Sequence, residues 1–333
     1  MALPCSRCAP THLTKGSYTV SDDPRSSDRL SALIGQLARL DTEAATTERG
    51  DLDLQSTVEL VRLMNAEDQR VPAAVAERAA DIARAVDGIT ECFRRGGRLI
   101  YIGAGTAGRI GVLDASECPP TFGTDPSMVI GLIAGGERAV RSAVENAEDD
   151  RDAAGVSLCE LGLTERDTVV GISASGRTPY VIGGLEYARG IGALTVAIAS
   201  NSDSAIGAVA EIPIEIVTGP EFISGSTRLK SGTTQKLVVN MLTTLSMIRL
   251  GKTYRGVMVD LVATNEKLHA RSIRTVAELT GVGVDEADAA LRAADGSVKL
   301  ALLMTITGAE ASRARDALAA ADGILREAIA SLS

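Results

Sequence analysis

The feature that most constrains the fold is an alternation that begins at Arg98. Five short apolar runs, Leu99 to Ile102, Met128 to Ile133, Thr168 to Ile172, Leu194 to Ile198 and Ile212 to Val217, are each followed by small or polar residues and then by a helical stretch. Repeated runs of this kind predict an α/β fold: a doubly wound parallel five-stranded sheet flanked by helices. In such sheets ligands sit beyond the carboxyl ends of the strands. The loops that matter therefore begin near Gly103, Ala134, Ser173, Ala199 and Thr218.

Apolar residues make up 45% of the chain, aromatics only 2%, and Trp is absent, so the core must be built from Ala, Val, Leu and Ile. That mixture suits a buried parallel sheet. The formal charge of −9 argues against a general nucleic-acid or anionic-membrane binder. It leaves room for an anionic small molecule, because backbone N–H groups can hold phosphate on an acidic protein. Cys5, Cys8, Cys92, Cys118 and Cys159 form an odd, scattered set, which reads as reduced thiols. With no apolar leader and no bilayer-spanning run, the expected location is the cytoplasm.

Residues 1 to about 24 are rich in Ser, Thr and Pro without periodicity and read as a loose tail. Cys5, Cys8 and His12 lack a second ligand pair, so no metal site is expected. Residues 25 to 40 and 55 to 95 carry helical periodicity, for example Val58, Val61, Leu63 and Met64. Thr233 to Leu250 reads as a long apolar helix, and residues 254 to 333 as a helical bundle punctuated by Gly281, Gly296 and Gly308. The expected division is a tail over 1–50, a sheet domain with leading helices over 51–253, and a helical region over 254–333.

Four segments bear on chemistry. Gly103-Ala-Gly-Thr-Ala-Gly108 matches the dinucleotide fingerprint GxGxxG, but the acidic residue expected about twenty positions on is missing. A turn kept for steric reasons, or one whose N–H groups face an anionic sugar, reads better. Ser173-Ala-Ser-Gly-Arg-Thr178 before Pro179 places three hydroxyls at a helix start and reads as a phosphate cradle, with helix capping as the plainer role. Ser224 to Thr234, with Arg228 and Lys230, reads equally as a sugar-contacting lid or a solvated linker. Asp114-Ala-Ser-Glu-Cys-Pro-Pro120 puts Glu117 just before two prolines expected to end a helix. Glu145 and Glu148 lie in a second acidic cluster. Two carboxylates from different loops can divide acid and base roles if burial sets them apart.

Together these motifs resemble a known family. Gly103-Ala-Gly-Thr with Ser173-Ala-Ser-Gly-Arg-Thr is similar to the sugar isomerase (SIS) domain. Thr47-Glu-Arg-Gly-Asp, Asp114-Ala-Ser-Glu-Cys-Pro-Pro, Gly131-Leu-Ile-Ala-Gly-Gly, Ala143-Val-Glu-Asn-Ala-Glu-Asp, Gly184-Leu-Glu-Tyr-Ala and Val262-Ala-Thr-Asn-Glu-Lys-Leu-His resemble the N-acetylmuramic acid 6-phosphate etherases, in order, from about residue 45 onward. The resemblance implies a carbon–oxygen lyase of cell-wall amino sugar recycling. Such enzymes release D-lactate and N-acetylglucosamine 6-phosphate by ring opening, loss of the C2 proton, expulsion of lactate from C3 and addition of water. It implies no metal or organic cofactor. It implies Glu117 and Glu148 as catalytic carboxylates, and Ser173, Ser175, Gly176 and Thr178 as phosphate-binding with Thr106 beside the sugar. It also implies a homodimer in which Glu266 or His269 reaches a neighbouring site. A sugar-phosphate isomerase, or a sugar-phosphate sensor like the glucokinase regulatory protein, would share the cradle.

Overall fold

The computed structural model describes residues 51–260 and 266–333, with residues 35 and 42. The tail with Cys5, Cys8 and His12, the helix expected over 25–40 apart from residue 35, Thr47-Glu-Arg-Gly50 and Val262-Ala-Thr-Asn265 lie outside the described residues.

Three helices lead in: α1 (Thr57–Asp68), α2 (Arg70–Ala76) and α3 (Ala79–Arg94). The sheet unit follows as β1 (Leu99–Gly103), α4 (Gly105–Phe122), β2 (Val129–Ile133), α5 (Glu137–Arg141), α6 (Ala153–Glu160), β3 (Thr168–Ser173), α7 (Pro179–Ile191), β4 (Leu194–Ala199), α8 (Ala205–Val209), β5 (Ile212–Glu215) and α9 (Lys230–Arg249). A two-stranded ribbon, β6 (Thr253–Tyr254) with β7 (Val257–Met258), precedes α10 (Glu266–Thr280), α11 (Val284–Ala293), α12 (Val298–Thr307), α13 (Ala311–Ala320) and α14 (Leu325–Leu332).

All five expected strands form, in the order β2-β1-β3-β4-β5, and every pairing is parallel. The period-2 alternation of strand side chains distributes them to two cores. Leu99, Tyr101, Val170, Ile172, Val196 and Ile198 pack against α2, α3, α4 and α9. Ile100, Ile102, Val169, Ala197 and Ala199 pack against α6, α7 and α8. A third cluster, from Tyr254 to Ala328, holds the last helices together.

The order 2-1-3-4-5 makes β1 and β3 neighbours while the chain leaves them for opposite faces of the sheet. Their carboxyl ends, Gly103 and Ser173, therefore flank a topological switch point, where such sheets leave a crevice. At their amino ends Arg98 and Asp167 are ion-paired at 2.8 Å. Burial alone would raise the Asp167 carboxyl, but hydrogen bonds from the Arg98 guanidinium and from the N–H groups of Thr164 and Arg98 hold it below its ordinary value.

One expectation fails locally. Pro119 and Pro120 do not end a helix: α4 runs through them to Phe122 and stops at Gly123, whose φ is 63°. Its face of Ala107, Gly111, Asp114, Ala115, Cys118 and Phe122 is buried, and that packing outweighs two lost backbone hydrogen bonds in the last turn. α1 forms where the periodicity predicts a helix, and its Val58 and Val61 are 58% and 63% exposed.

Candidate active site

Two cavities open beyond the carboxyl ends of β1 and β3. One, of 190 Å³, is lined by Ala104 to Ala107, Glu148, Ser173 to Ser175, Thr178, Thr227 and Gln235. The other, of 210 Å³, is lined by Ala104, Gly105, Arg109, the loop Ala143 to Glu148 and neighbouring alanines. Both share Ala104, Gly105 and Glu148, so they are two halves of one cleft. Each half is smaller than an ordinary ligand site of about 300 Å³ or more, and together they come into that range.

The cradle half is built by β3 and the turn after it. Gly176 takes a φ of 70°, and a Cβ there would stand 2.4 Å from Ser204 Cβ, so only glycine lets the turn fold against α8. The turn gathers its hydroxyls. Ser173 Oγ lies 2.8 Å from Thr178 Oγ1 and 3.3 Å from Ser175 Oγ. Thr178 stands at the N-cap of α7, yet its side chain makes no cap hydrogen bond. Capping thus does not use that hydroxyl, and it stays with the cluster. α4 and α7 both start at this cleft, so two positive helix ends face it. Gly176 underlies the cavity without lining it, its N–H already donating to Ser173 Oγ at 3.1 Å.

On the other side, close packing shapes the Gly-rich turn. A Cβ on Gly108 would lie 2.7 Å from the Gly103 carbonyl oxygen, so the fingerprint glycine serves the approach of α4 to β1. Thr106 in the first turn of α4 lines the cleft. Arg109 donates from Nε to the Val140 carbonyl at 3.0 Å and from Nη2 to that of Ala139 at 2.9 Å, and so holds the end of α5. The following loop is pinned at its far end by Arg151 and Glu186, 2.6 Å apart. Within it Asn146 adopts a left-handed φ of 60° and Glu148 sits in a 3-10 turn. Glu148 borders both halves of the cleft, whereas Glu145 borders only one.

Glu117 lies elsewhere. It is exposed on α4, twelve residues past Gly105, or about 18 Å along the axis. It lines neither cavity. Glu148 is exposed too. One turn before Glu117, Asp114 is buried and accepts hydrogen bonds from Tyr101 Oη at 2.8 Å, Asn240 Nδ2 at 2.7 Å and Thr243 Oγ1 at 3.2 Å. Burial raises its carboxyl above the ordinary value against those bonds. Burial, with the charges of Asp114 and Glu117, pushes the Cys118 thiol up to about 12. Glu266 and His269 are exposed on α10, His269 Nε2 lying 3.6 Å from Asp288, and neither borders the cleft.

Lys230 is neither lid nor linker. It opens α9 fully buried, its Nζ 2.7 Å from Glu67 and 3.0 Å from the Thr218 carbonyl. Three cleft residues carried no clear sign in the sequence. Arg109 follows the glycine turn, Thr227 lay in a hydroxyl-rich loop with two readings, and Gln235 sat inside an apolar helix.

Residues 81–189 match the glucokinase regulatory protein N-terminal SIS domain, and residues 156–245 match the SIS domain. A phosphoheptose isomerase structure from Francisella tularensis is 19% identical, with a TM-score of 0.48, over 58% of this chain and 100% of that one. The N-acetylmuramic acid 6-phosphate etherase of Streptomyces avermitilis is 57% identical over 90% of this chain and 96% of its own length. That of Brucella anthropi is also 57% identical, over 90% and 97%. Five parallel strands, a hydroxyl-lined switch point and this degree of identity over nearly the whole chain lead to one conclusion: the chain belongs to the N-acetylmuramic acid 6-phosphate etherase family.

Proposed function

We infer that this protein is a carbon–oxygen lyase that cleaves the D-lactyl ether of N-acetylmuramic acid 6-phosphate, giving N-acetylglucosamine 6-phosphate and D-lactate in cell-wall amino sugar recycling. The observation that carries the reading is the joined cleft, with Glu148 between a hydroxyl cradle and a pocket lined by Arg109. Ser173, Ser175 and Thr178 hold the 6-phosphate at the positive end of α7, and Thr106 contacts the sugar. With the ring open, the C1 aldehyde acidifies the C2 proton. Loss of that proton to a carboxylate breaks the C3–O bond, and lactate leaves as its ether oxygen is protonated. Water then adds, its hydroxyl to C3 and its proton to C2. Glu148 and Glu117 supply the carboxylates. Arg109 faces the lactyl carboxylate.

The position of Glu117 supports a homodimer. Its exposed face of α4 also bears Leu113, 55% exposed, and Leu54 before α1 and Val58 and Val61 on it are uncovered. Such apolar surface is suited to a second copy, which would bring Glu117 to the neighbouring cleft. Glu266 and His269 are the residues of the helical region assigned to that contact. Among the described residues no helix is long and apolar enough to cross a membrane. The reaction is assigned to the cytoplasm. The test is a coupled assay for D-lactate release from N-acetylmuramic acid 6-phosphate. Release without added nucleotide is expected, and no release under any metal supplementation sinks the reading.

A further inference from the structure

The amino end of α9 is densely buried and almost fully paired. Lys230 Nζ is held by Glu67 and the Thr218 carbonyl. The N–H groups of Lys230 and Ser231 each donate to the Glu221 carboxylate at 2.9 Å. Thr234 Oγ1 donates to the Lys230 carbonyl at 2.9 Å. Gln235 departs from this pattern. It is 1% exposed, lines the cavity that holds Ser173, Ser175, Thr178 and Glu148, and its Oε1 has no hydrogen-bond partner among the described residues. The Ser231 hydroxyl is also unpaired, but it does not line the cavity.

A buried, unpaired carboxamide facing a cavity calls for a partner from a ligand. A neutral carboxamide transfers no proton, and its unpaired acceptor Oε1 needs a donor, which an ionised phosphate does not offer. Its complement is another neutral group that both donates and accepts. Whichever way the amide is turned, an acetamido group offers it a match, an N–H to Oε1 or a C=O to Nε2. In the substrate of the reaction proposed above, C2 carries both the proton that a carboxylate removes and the acetamido nitrogen. A group that meets this nitrogen must therefore share a cavity with Glu148, as Gln235 does.

We propose that Gln235 is the specificity-determining residue that recognises the 2-acetamido group of the amino sugar phosphate. This rests on the etherase reading. Its test needs no turnover. N-acetylglucosamine 6-phosphate and glucose 6-phosphate differ only in bearing acetamido or hydroxyl at C2. Their binding to the full chain is measured by calorimetry for wild type, Gln235→Leu and Gln235→Met, with the melting temperature as a check on folding.

Wild type is expected to favour the acetamido sugar by about tenfold or more. Both variants should bring the two affinities within about twofold by weakening the acetamido sugar alone. The longer Met guards against a cavity effect from Leu. A wild-type ratio retained in a folded variant, equal loss of both sugars, or no preference in wild type would each overturn the proposal. Lactate release by wild type is read separately. Its absence removes the etherase reading, whereas release with an unchanged sugar ratio removes only the role of Gln235.

Discussion

The β3–α7 turn and the outer face of α4 are finished to different degrees within one chain. The turn is complete: the hydroxyls of Ser175 and Thr178 both lie within 3.3 Å of that of Ser173, and its glycine is locked against α8. Glu117 stands exposed on α4, beyond both cavities, although Asp114 one turn away is firmly anchored. The proposed anion site is thus local to one loop and one helix end, whereas the second proposed carboxylate is only presented. On the dimer proposed above, the difference is that the turn serves its own cleft while α4 presents Glu117 to a neighbour's.

The largest effects should come from the carboxylates. Glu148→Gln and Glu117→Gln should each lower kcat by about 10²–10⁴-fold while sugar-phosphate binding survives. Mixing the two inactive variants sharpens the comparison. If each site takes Glu148 from one chain and Glu117 from the other, half of the dimers regain one intact site. Activity then returns to about a quarter of wild type after subunit exchange. No recovery in subunits shown to exchange would place both carboxylates in one chain and break the contrast.

A smaller effect should follow at the opposite ends of the strands that frame the cleft. Asp167→Asn should cost about 2 kcal/mol of stability at neutral pH, read from denaturant unfolding, with KM unchanged. Because the folded state holds Asp167 below its ordinary value, its contribution is complete above the unfolded pKa of about 3.9. It is lost as pH falls through the folded value, so wild type and variant should converge in acid. Divergence in acid would show that the pair is not the cause.

Ser175→Ala should raise KM by about tenfold with little change in kcat, since one hydrogen bond to a charged group is lost. An unchanged KM would mean that the cluster does not hold the phosphate. It would also remove the completed turn from the comparison.

Much of this was legible beforehand, for a clear reason. A strand buried on both faces writes itself as a continuous apolar run, and each of the five runs became a strand within a few residues of its expected ends. The hydroxyl turn was equally legible, because its ligands are neighbours in sequence. In the acidic loop the residues alone left Glu145 beside Glu148, the resemblance implied Glu148, and the fold puts Glu148 on the wall shared by both cavities. Gln235, Arg109 and Lys230 were hidden because helical periodicity reports which face is buried, not what an individual polar residue meets there. The prolines misled because local propensity speaks for an isolated helix, and α4 is held by its buried face.

By itself, then, the sequence determined the sheet, its order of elements, the hydroxyl-rich turn and the family, all of which depend on short-range pattern. Tertiary structure alone decided that Glu148 borders the cleft, that Glu117 does not, and that Lys230 is buried against Glu67. Those facts depend on distances between segments far apart in the chain, and no local spacing encodes them.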